Sequence, residues 1–253
     1  MSRSSASYYD RQITVFSPEG KLFQVEYAFR AVEAANITVV ALRGKEAAVI
    51  VGQKKASSQA LAQDKLLDAS SLSSMYFVTP KVGGAFVGMP ADCRSMVYRA
   101  RQKASNFSFD NGFEIPIHHL AYKIAQINQV FTQHAYMRLH ACVGILIGID
   151  EETRAPKIFK FDPAGWFTGN KAAVVGNKEA EATNLLQKLI KDKEPDTLDE
   201  TVMGALATLQ QTLGMDMKAA DLEISYVTVD NPNFRLMAEA DVDRYLTMVA
   251  ERD

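Results

Sequence analysis

The first apolar stripe of the chain has a helical period. Leu22, Val25, Phe29 and Val32 recur at offsets of three, seven and ten, and Phe23, Tyr27 and Ala28 widen the stripe beyond what a solvent-bathed helix needs. Ahead of it, Ser17-Pro18-Glu19-Gly20 has turn chemistry: a hydroxyl able to cap, a proline that fixes φ and a glycine that permits unusual φ. A helix is therefore expected from about Leu22. From Ile37 the pattern changes to β-rich runs, Ile37 to Leu42 and Ala47 to Val51, which Arg43-Gly44-Lys45 joins as a hairpin.

Met75 to Val78 and Gly84 to Val87 predict a second strand pair. Two long helical patterns follow, from about Pro90 to Asn106 and from Ile117 to Tyr136. Strands resume at Cys142 to Ile149, Lys157 to Phe161 and Ala172 to Val175, with a turn at Asp162-Pro163-Ala164-Gly165. Asn177 is placed to cap a helix running to about Lys191. The charged KDKEPD loop comes next, then a helix from Leu198 to Leu213, a strand from Glu223 to Val229 and a last helix from Ala238 to Arg252. Groups of strands alternating with pairs of helices do not make a βαβ parallel sheet. The order fits a mixed α/β (α+β) fold, a four-layer αββα sandwich of two antiparallel sheets between helical layers with an extra N-terminal helix. One domain is expected over 1–253: a mobile tail to residue 8, a leading segment and helix over 9–35, and the sandwich over 36–253.

Composition narrows the function. With 253 residues, 47% of them hydrophobic, the chain can bury a full core. A formal net charge of −2 forces no basic face, so neither nucleic acid nor an anionic membrane is the expected partner. The apolar run from Ala141 to Ile149 is about half of what a membrane-spanning helix requires, and Met1 to Ser7 has no apolar signal core. Cys93 and Cys142 are too few for a disulfide framework, which fits a reducing cytoplasm or nucleus.

No motif specifies an enzyme. Gly83-Gly84-Ala85-Phe86-Val87-Gly88 lacks both the G-x-G-x-x-G spacing and a Walker lysine, so it is read as a glycine-bearing strand edge. His118, His119, His134 and His140 show no metal-ligand spacing, and no cofactor is expected. The two cysteines are read as buried thiols.

The stretch YDRQITVFSPEGKLFQVEYAFRAV, Tyr9 to Val32, closely resembles the N-terminal pattern of proteasome alpha subunits, as do GMPADCRSMVYRAR, ILIGIDEE, FDPAGWF, VTVDNPNFRL and the closing AERD. The resemblance covers essentially the whole chain. It implies the αββα sandwich of N-terminal nucleophile hydrolases and a non-catalytic place in the outer ring of the 20S core, in ubiquitin-dependent protein degradation in cytoplasm and nucleus. The partners it implies are other alpha subunits in a heteroheptameric ring, beta subunits, a regulatory particle or activator, and unfolded polypeptide passing the gate. In the family the leading helix lies across the ring face between neighbours. Tyr9, Asp10, Pro18 and Tyr27 match the cluster that holds N-terminal tails in the open arrangement, in which a carboxyl and two phenols exchange hydrogen bonds between subunits.

The rival reading is a threonine-type peptidase of the same fold, whose terminal amine, titrating roughly two units below a lysine, would serve as base. By the same resemblance Thr38 falls near the nucleophile position, but it is internal. Gln53 and Ser74 stand where catalytic relatives carry an acid and a lysine. Ser74 also falls where alpha subunits often place a lysine lining an activator pocket. The stretch 55–64 looks longer than the usual loop, and Leu139-His140-Ala141 replaces a proline and glycine that commonly follow Arg138, which puts that turn in question. A stand-alone interaction domain is the third reading, disfavoured because a wide apolar helix face in water promotes association.

Overall fold

The computed structural model describes residues 8–54, 66, 68, 71–215 and 217–251; the tail before residue 8 and the stretch 55–64 lie outside them. Two five-stranded antiparallel sheets stack face to face. The first, in the order β10-β9-β2-β1-β8, contains β1 (Val39–Arg43), β2 (Ala47–Gln53), β8 (Ala172–Val175), β9 (Leu222–Thr228) and β10 (Arg235–Leu236). The second, in the order β3-β4-β5-β6-β7, contains β3 (Met75–Phe77), β4 (Gly83–Gly88), β5 (Cys142–Ile149), β6 (Pro156–Phe161) and β7 (Phe167–Asn170). Helices α2 (Pro90–Asn111) and α3 (Ile117–Phe131) cover the second sheet. Helices α4 (Glu179–Asp192), α5 (Leu198–Leu213) and α6 (Glu239–Ala250) cover the first, and α1 (Phe23–Glu33) precedes both sheets. The four-layer αββα arrangement expected from the sequence is the observed one.

Alternation within the central strands explains their near-continuous apolar composition. Val39, Ala41, Ala48 and Ile50 face the core between the sheets, while Val40, Leu42, Val49 and Val51 face the layer of α4, α5 and α6. Both faces of β1 and β2 are buried, and a slip of one residue would exchange the two sets. The GGAFVG run is the buried strand β4, as read. A Cβ at Gly84 would lie 2.0 Å from the carbonyl oxygen of Ile145, so the approach of β5 excludes any side chain there.

The structure corrects several boundaries. Helix α2 runs five residues further than expected, because Phe107 turns inward against Phe113 (centroids 5.3 Å apart) and the stop comes only at Gly112, with φ +78°. Helix α3 ends five residues early, where the buried Thr132 hydroxyl donates to the carbonyl of Gln129 at 2.6 Å. Although it follows β5, β6 and β7 in the chain, strand β8 does not pair with them. It joins the first sheet, beside β1, with Ala41 opposite Ala173. Strands β7 and β10 have no counterpart in the sequence pattern, since FTGN and a two-residue strand carry almost no β signal. Asn177 does not cap α4: its amide donates to the Asn36 side chain at 2.6 Å, and the cap position is Lys178.

Candidate functional site

Residues 8–11 form a helical turn that folds back on α1. The hydroxyl of Tyr27 donates to Oδ1 of Asp10, and Nε2 of Gln24 donates to the Asp10 carbonyl at 2.5 Å. Ile13 is buried with Ala28 of α1 and with Leu139, fixing the same segment by apolar contact. Tyr9 packs edge-on against Tyr8 with centroids 5.3 Å apart. Pro18 is exposed in a turn closed by Gly20 N–H donating to Ser17 O at 2.8 Å, with Gly20 at φ +76°. Ser17 serves this turn and accepts from Lys21 N–H at 3.2 Å, while the helix cap is Leu22. Of Tyr9, Asp10, Pro18 and Tyr27, the structure brings Asp10 and Tyr27 together within one chain, where the resemblance implies contacts between subunits. The stripe of α1 is also more covered than expected, because Val32 and Phe29 pack into the core between the sheets.

Helix α1 leads directly to Thr38 through Asn36, which takes the left-handed region at φ 52°. Thr38 is 3% exposed. Its backbone N–H donates to Oε1 of Gln53 at 3.0 Å, and the Gln53 N–H returns to the Thr38 carbonyl at 3.2 Å. Gly176, at φ +130°, closes over the same backbone: a Cβ there would lie 2.8 Å from Thr38 Cα and 2.2 Å from the Ile37 oxygen. The nitrogen of Thr38 is a peptide nitrogen whose lone pair is delocalised into the carbonyl, and it already donates to an amide oxygen. It offers no base to its own hydroxyl.

Ser74 lies at the same end of the sandwich, since the neighbouring Met75 packs over Gly52 beside Gln53. It is 6% exposed, and its N–H donates to Oε2 of Glu223 at 3.2 Å, which also accepts from the Ser73 hydroxyl at 2.9 Å. Burial raises the Glu223 carboxyl above its usual range, only partly offset by these donors and by the nearby charge of Lys54. Thr38 and Gln53 are thus bonded to each other, and Ser74 is bonded to Glu223, which stands opposite Gly52 in the ladder of β2 and β9. The ionisable group beside them, Glu223, escapes sequence reasoning because a single glutamate in an alternating strand carries no distinguishing pattern.

The turn after Arg138 is resolved by a clamp that sequence reasoning also misses. Arg138 donates two hydrogen bonds to Asp92, at 2.6 and 2.9 Å, and Asp92 accepts the Ala141 N–H at 2.8 Å. Burial disfavours the Asp92 charge, but the guanidinium and the Ala141 amide hold its carboxyl below the ordinary value. His140 packs edge-on against Phe131 at 4.6 Å, and burial pushes its imidazole below the usual range, which favours the neutral ring. Asp92 sits in the first turn of α2, where acidic residues are ordinary, so nothing in the sequence marks it.

A cavity of about 930 Å³ opens between α1, the β6–β7 hairpin and α4. Lys160 crosses its wall, donating to the Val174 carbonyl of β8 at 2.9 Å and pairing with Glu179. On β7, Nδ2 of Asn170 donates to the Thr168 carbonyl at 3.2 Å.

The proteasome subunit family matches residues 32–227, and the N-terminal signature of A-type proteasome subunits matches residues 9–31. The chain is 40% identical over its full length, and over all of the relative, to the alpha type-6 proteasome subunit of Caenorhabditis elegans. It is 41% identical to a probable alpha type-1 proteasome subunit of Schizosaccharomyces pombe, over 99% of this chain and 100% of that one. An archaeal relative, the alpha proteasome subunit of Methanopyrus kandleri, is 32% identical over 95% of this chain and 93% of its own. The leading turn and helix over residues 9–31 and the sandwich behind them are both accounted for by these matches, and the chain belongs to the proteasome alpha-subunit family.

Proposed function

We propose that this chain is a non-catalytic subunit of the alpha ring of a 20S proteasome core, acting in ring assembly, in gating of unfolded polypeptide and in docking of regulatory particles for ubiquitin-dependent degradation in cytoplasm and nucleus. Tyr27-Ala28-Phe29 and the AERD terminus favour the ring slot of the type-6 subunit, the first position. The observation that carries the non-catalytic reading is the buried Thr38, with its peptide nitrogen bonded to Gln53 and no ionisable partner in Gln53 or Ser74. Thr38→Ala in the assembled particle is expected to leave every peptide-hydrolysis activity at the wild-type level. Loss of one activity would convert the subunit into a peptidase.

Gating rests on the Asp10–Tyr27 bond, which ties the helical turn at residues 8–11 to α1. A hydrogen bond to a carboxylate contributes roughly 1.5–3 kcal/mol, a shift of roughly 10- to 150-fold in a two-state equilibrium. Tyr27→Phe keeps the ring packing and removes the donor. It is expected to alter basal and activator-stimulated hydrolysis while the particle still assembles, and identical rates in both assays would remove Tyr27 from the gate. Ser74 is proposed as a weak activator-pocket position, because a hydroxyl lacks the charge-assisted contact of a lysine and this one is buried in the single chain.

A further inference from the structure

The chain has two cysteines, and the fold sets them against each other. Cys93 lies in the first turn of α2 and Cys142 opens β5, and both are buried. Backbone links fix the start of the helix on the start of the strand. Gly88, the last residue of β4, stands opposite Cys142 in the ladder, and a Cβ on it would lie 3.2 Å from Cys142 Cα. The Met89 N–H donates to the Ala141 carbonyl at 2.9 Å, and the Cys93 N–H donates to the Met89 carbonyl at 2.9 Å. Helix side chains lean towards the N-terminus, so the Cys93 sulfur points back over this rung. There the Cys142 thiol is hydrogen-bonded to it, and both pack in one apolar cluster with Phe86 and Met96.

Two thiols held in contact by elements that already meet through their backbones have the proximity that a disulfide requires. We propose that Cys93 and Cys142 are a reversible redox pair, oxidised by a small-molecule disulfide of the glutathione class to an intrachain bridge that staples the start of α2 to β5. Access decides when the bridge forms. Burial pushes the Cys142 thiol well above its usual range, and its bond to Cys93 adds to that, so the closed fold presents little thiolate. The cover is thin on one side. Met89, Pro90 and Ala91 are exposed, and α2 begins without a side-chain cap. Opening of that turn frees Cys93 first, and the Asp92–Arg138 clamp opposes it, because Asp92 also holds the Ala141 N–H.

The Cys93 thiolate attacks one sulfur of the small disulfide, whose S–S bond breaks to release one small thiol and leave a mixed disulfide. The Cys142 thiolate then attacks the Cys93 sulfur, the mixed bond breaks and a second small thiol leaves. The two protein thiols give up two electrons and two protons, which the small disulfide takes up in becoming two thiols.

The test equilibrates purified full-length chain with mixtures of reduced and oxidised glutathione, then unfolds it in an alkylating reagent and weighs it by intact mass spectrometry. The expected product is lighter by two hydrogens, protected from alkylation at both cysteines, free of glutathione, and yields a peptide joining Cys93 to Cys142. The bridge closes a loop of about 50 residues, so the oxidised chain is expected to melt roughly 5 °C or more above the reduced one, a shift that dithiothreitol reverses. Arg138→Ala is expected to oxidise at least about fivefold faster, since the clamp no longer holds the turn closed. Cys93→Ala and Cys142→Ala, each checked for folding by circular dichroism, should show neither bridge nor shift, and the wild-type masses decide the matter even where a variant does not fold. Two alkylated cysteines at a glutathione ratio that bridges the urea-unfolded chain would overturn the pair, as would chains that carry glutathione without a bridge. A bridged chain melting no higher than the reduced one would overturn the staple.

Discussion

Phe161→Ala is expected to lower the unfolding free energy by about 3–5 kcal/mol, the range for removing a fully buried aromatic ring. Phe161 closes β6 against the helical layer, with its ring 5.5 Å from that of Phe86 on β4. Beneath it lies Gly144 of β5, where a Cβ would fall 2.2 Å from the ring. The ring therefore occupies the volume that a side chain at 144 would take. Gly144→Ala alone should destabilise by overpacking, but in the Phe161→Ala background the added methyl enters vacated space. Urea unfolding of the two single variants and the double variant should give a double cost smaller than the sum of the singles. Strict additivity would show that the ring and the glycine do not share one volume, and a Phe161→Ala cost under about 1 kcal/mol would contradict the burial argument.

Arg138→Ala should be the second large effect, about 2–3 kcal/mol. Removing one partner of a buried pair costs roughly 3–5 kcal/mol, and this pair falls below that range because the guanidinium is 59% exposed while the Asp92 side chain is 8% exposed. The sign of the pH dependence offers a sharper check. Held below its ordinary value in the folded chain, Asp92 contributes stability that is fully present above its unfolded pKa of about 4 and is lost as pH falls through the lower folded value. Without Arg138, Asp92 loses the donor that most lowers it while burial still opposes its charge, so the folded carboxyl moves up towards the unfolded value. The gain in stability that Asp92 gives as pH rises from about 3 to 6 then shrinks. Melting temperatures of wild type, Arg138→Ala and Asp92→Asn between roughly pH 3 and 6 should show a steeper rise with pH for the wild type than for Arg138→Ala, and a flatter third. Parallel slopes would mean that the clamp does not set the Asp92 charge.

The elements legible in the sequence are those whose period is imposed by burial. Helix α5 occupies Leu198–Leu213 as its pattern predicts, because its apolar face is long and Thr197 caps it, accepting from the Glu200 N–H at 3.3 Å. The β1–β2 hairpin is equally plain. Elements defined by partners distant in sequence are not: β7 exists because Phe167 pairs with Phe161, and β8 lies in the first sheet because Val39 pairs with Val175. The candidate site divides in the same way. Thr38, Gln53 and Ser74 are reached by resemblance, and the leading segment by its long local pattern. Glu223 and the Asp92–Arg138 clamp span 149 and 46 positions of chain, and no local pattern reports such pairings.

The outermost strands of the two sheets are short, two to four residues each, while β2, β4, β5, β6 and β9 have six to eight. On β7 and β8 some outward carbonyls are already taken, Thr168 by Asn170 and Val174 by Lys160. A protein made to wait for partners must pass through a period alone at high local concentration, when open backbone is a template for edge-to-edge polymerisation. Here the rim strands are short and two of their carbonyls are engaged, which shortens any ladder they could template, so side-chain surfaces have the larger part in what an unassembled copy meets first.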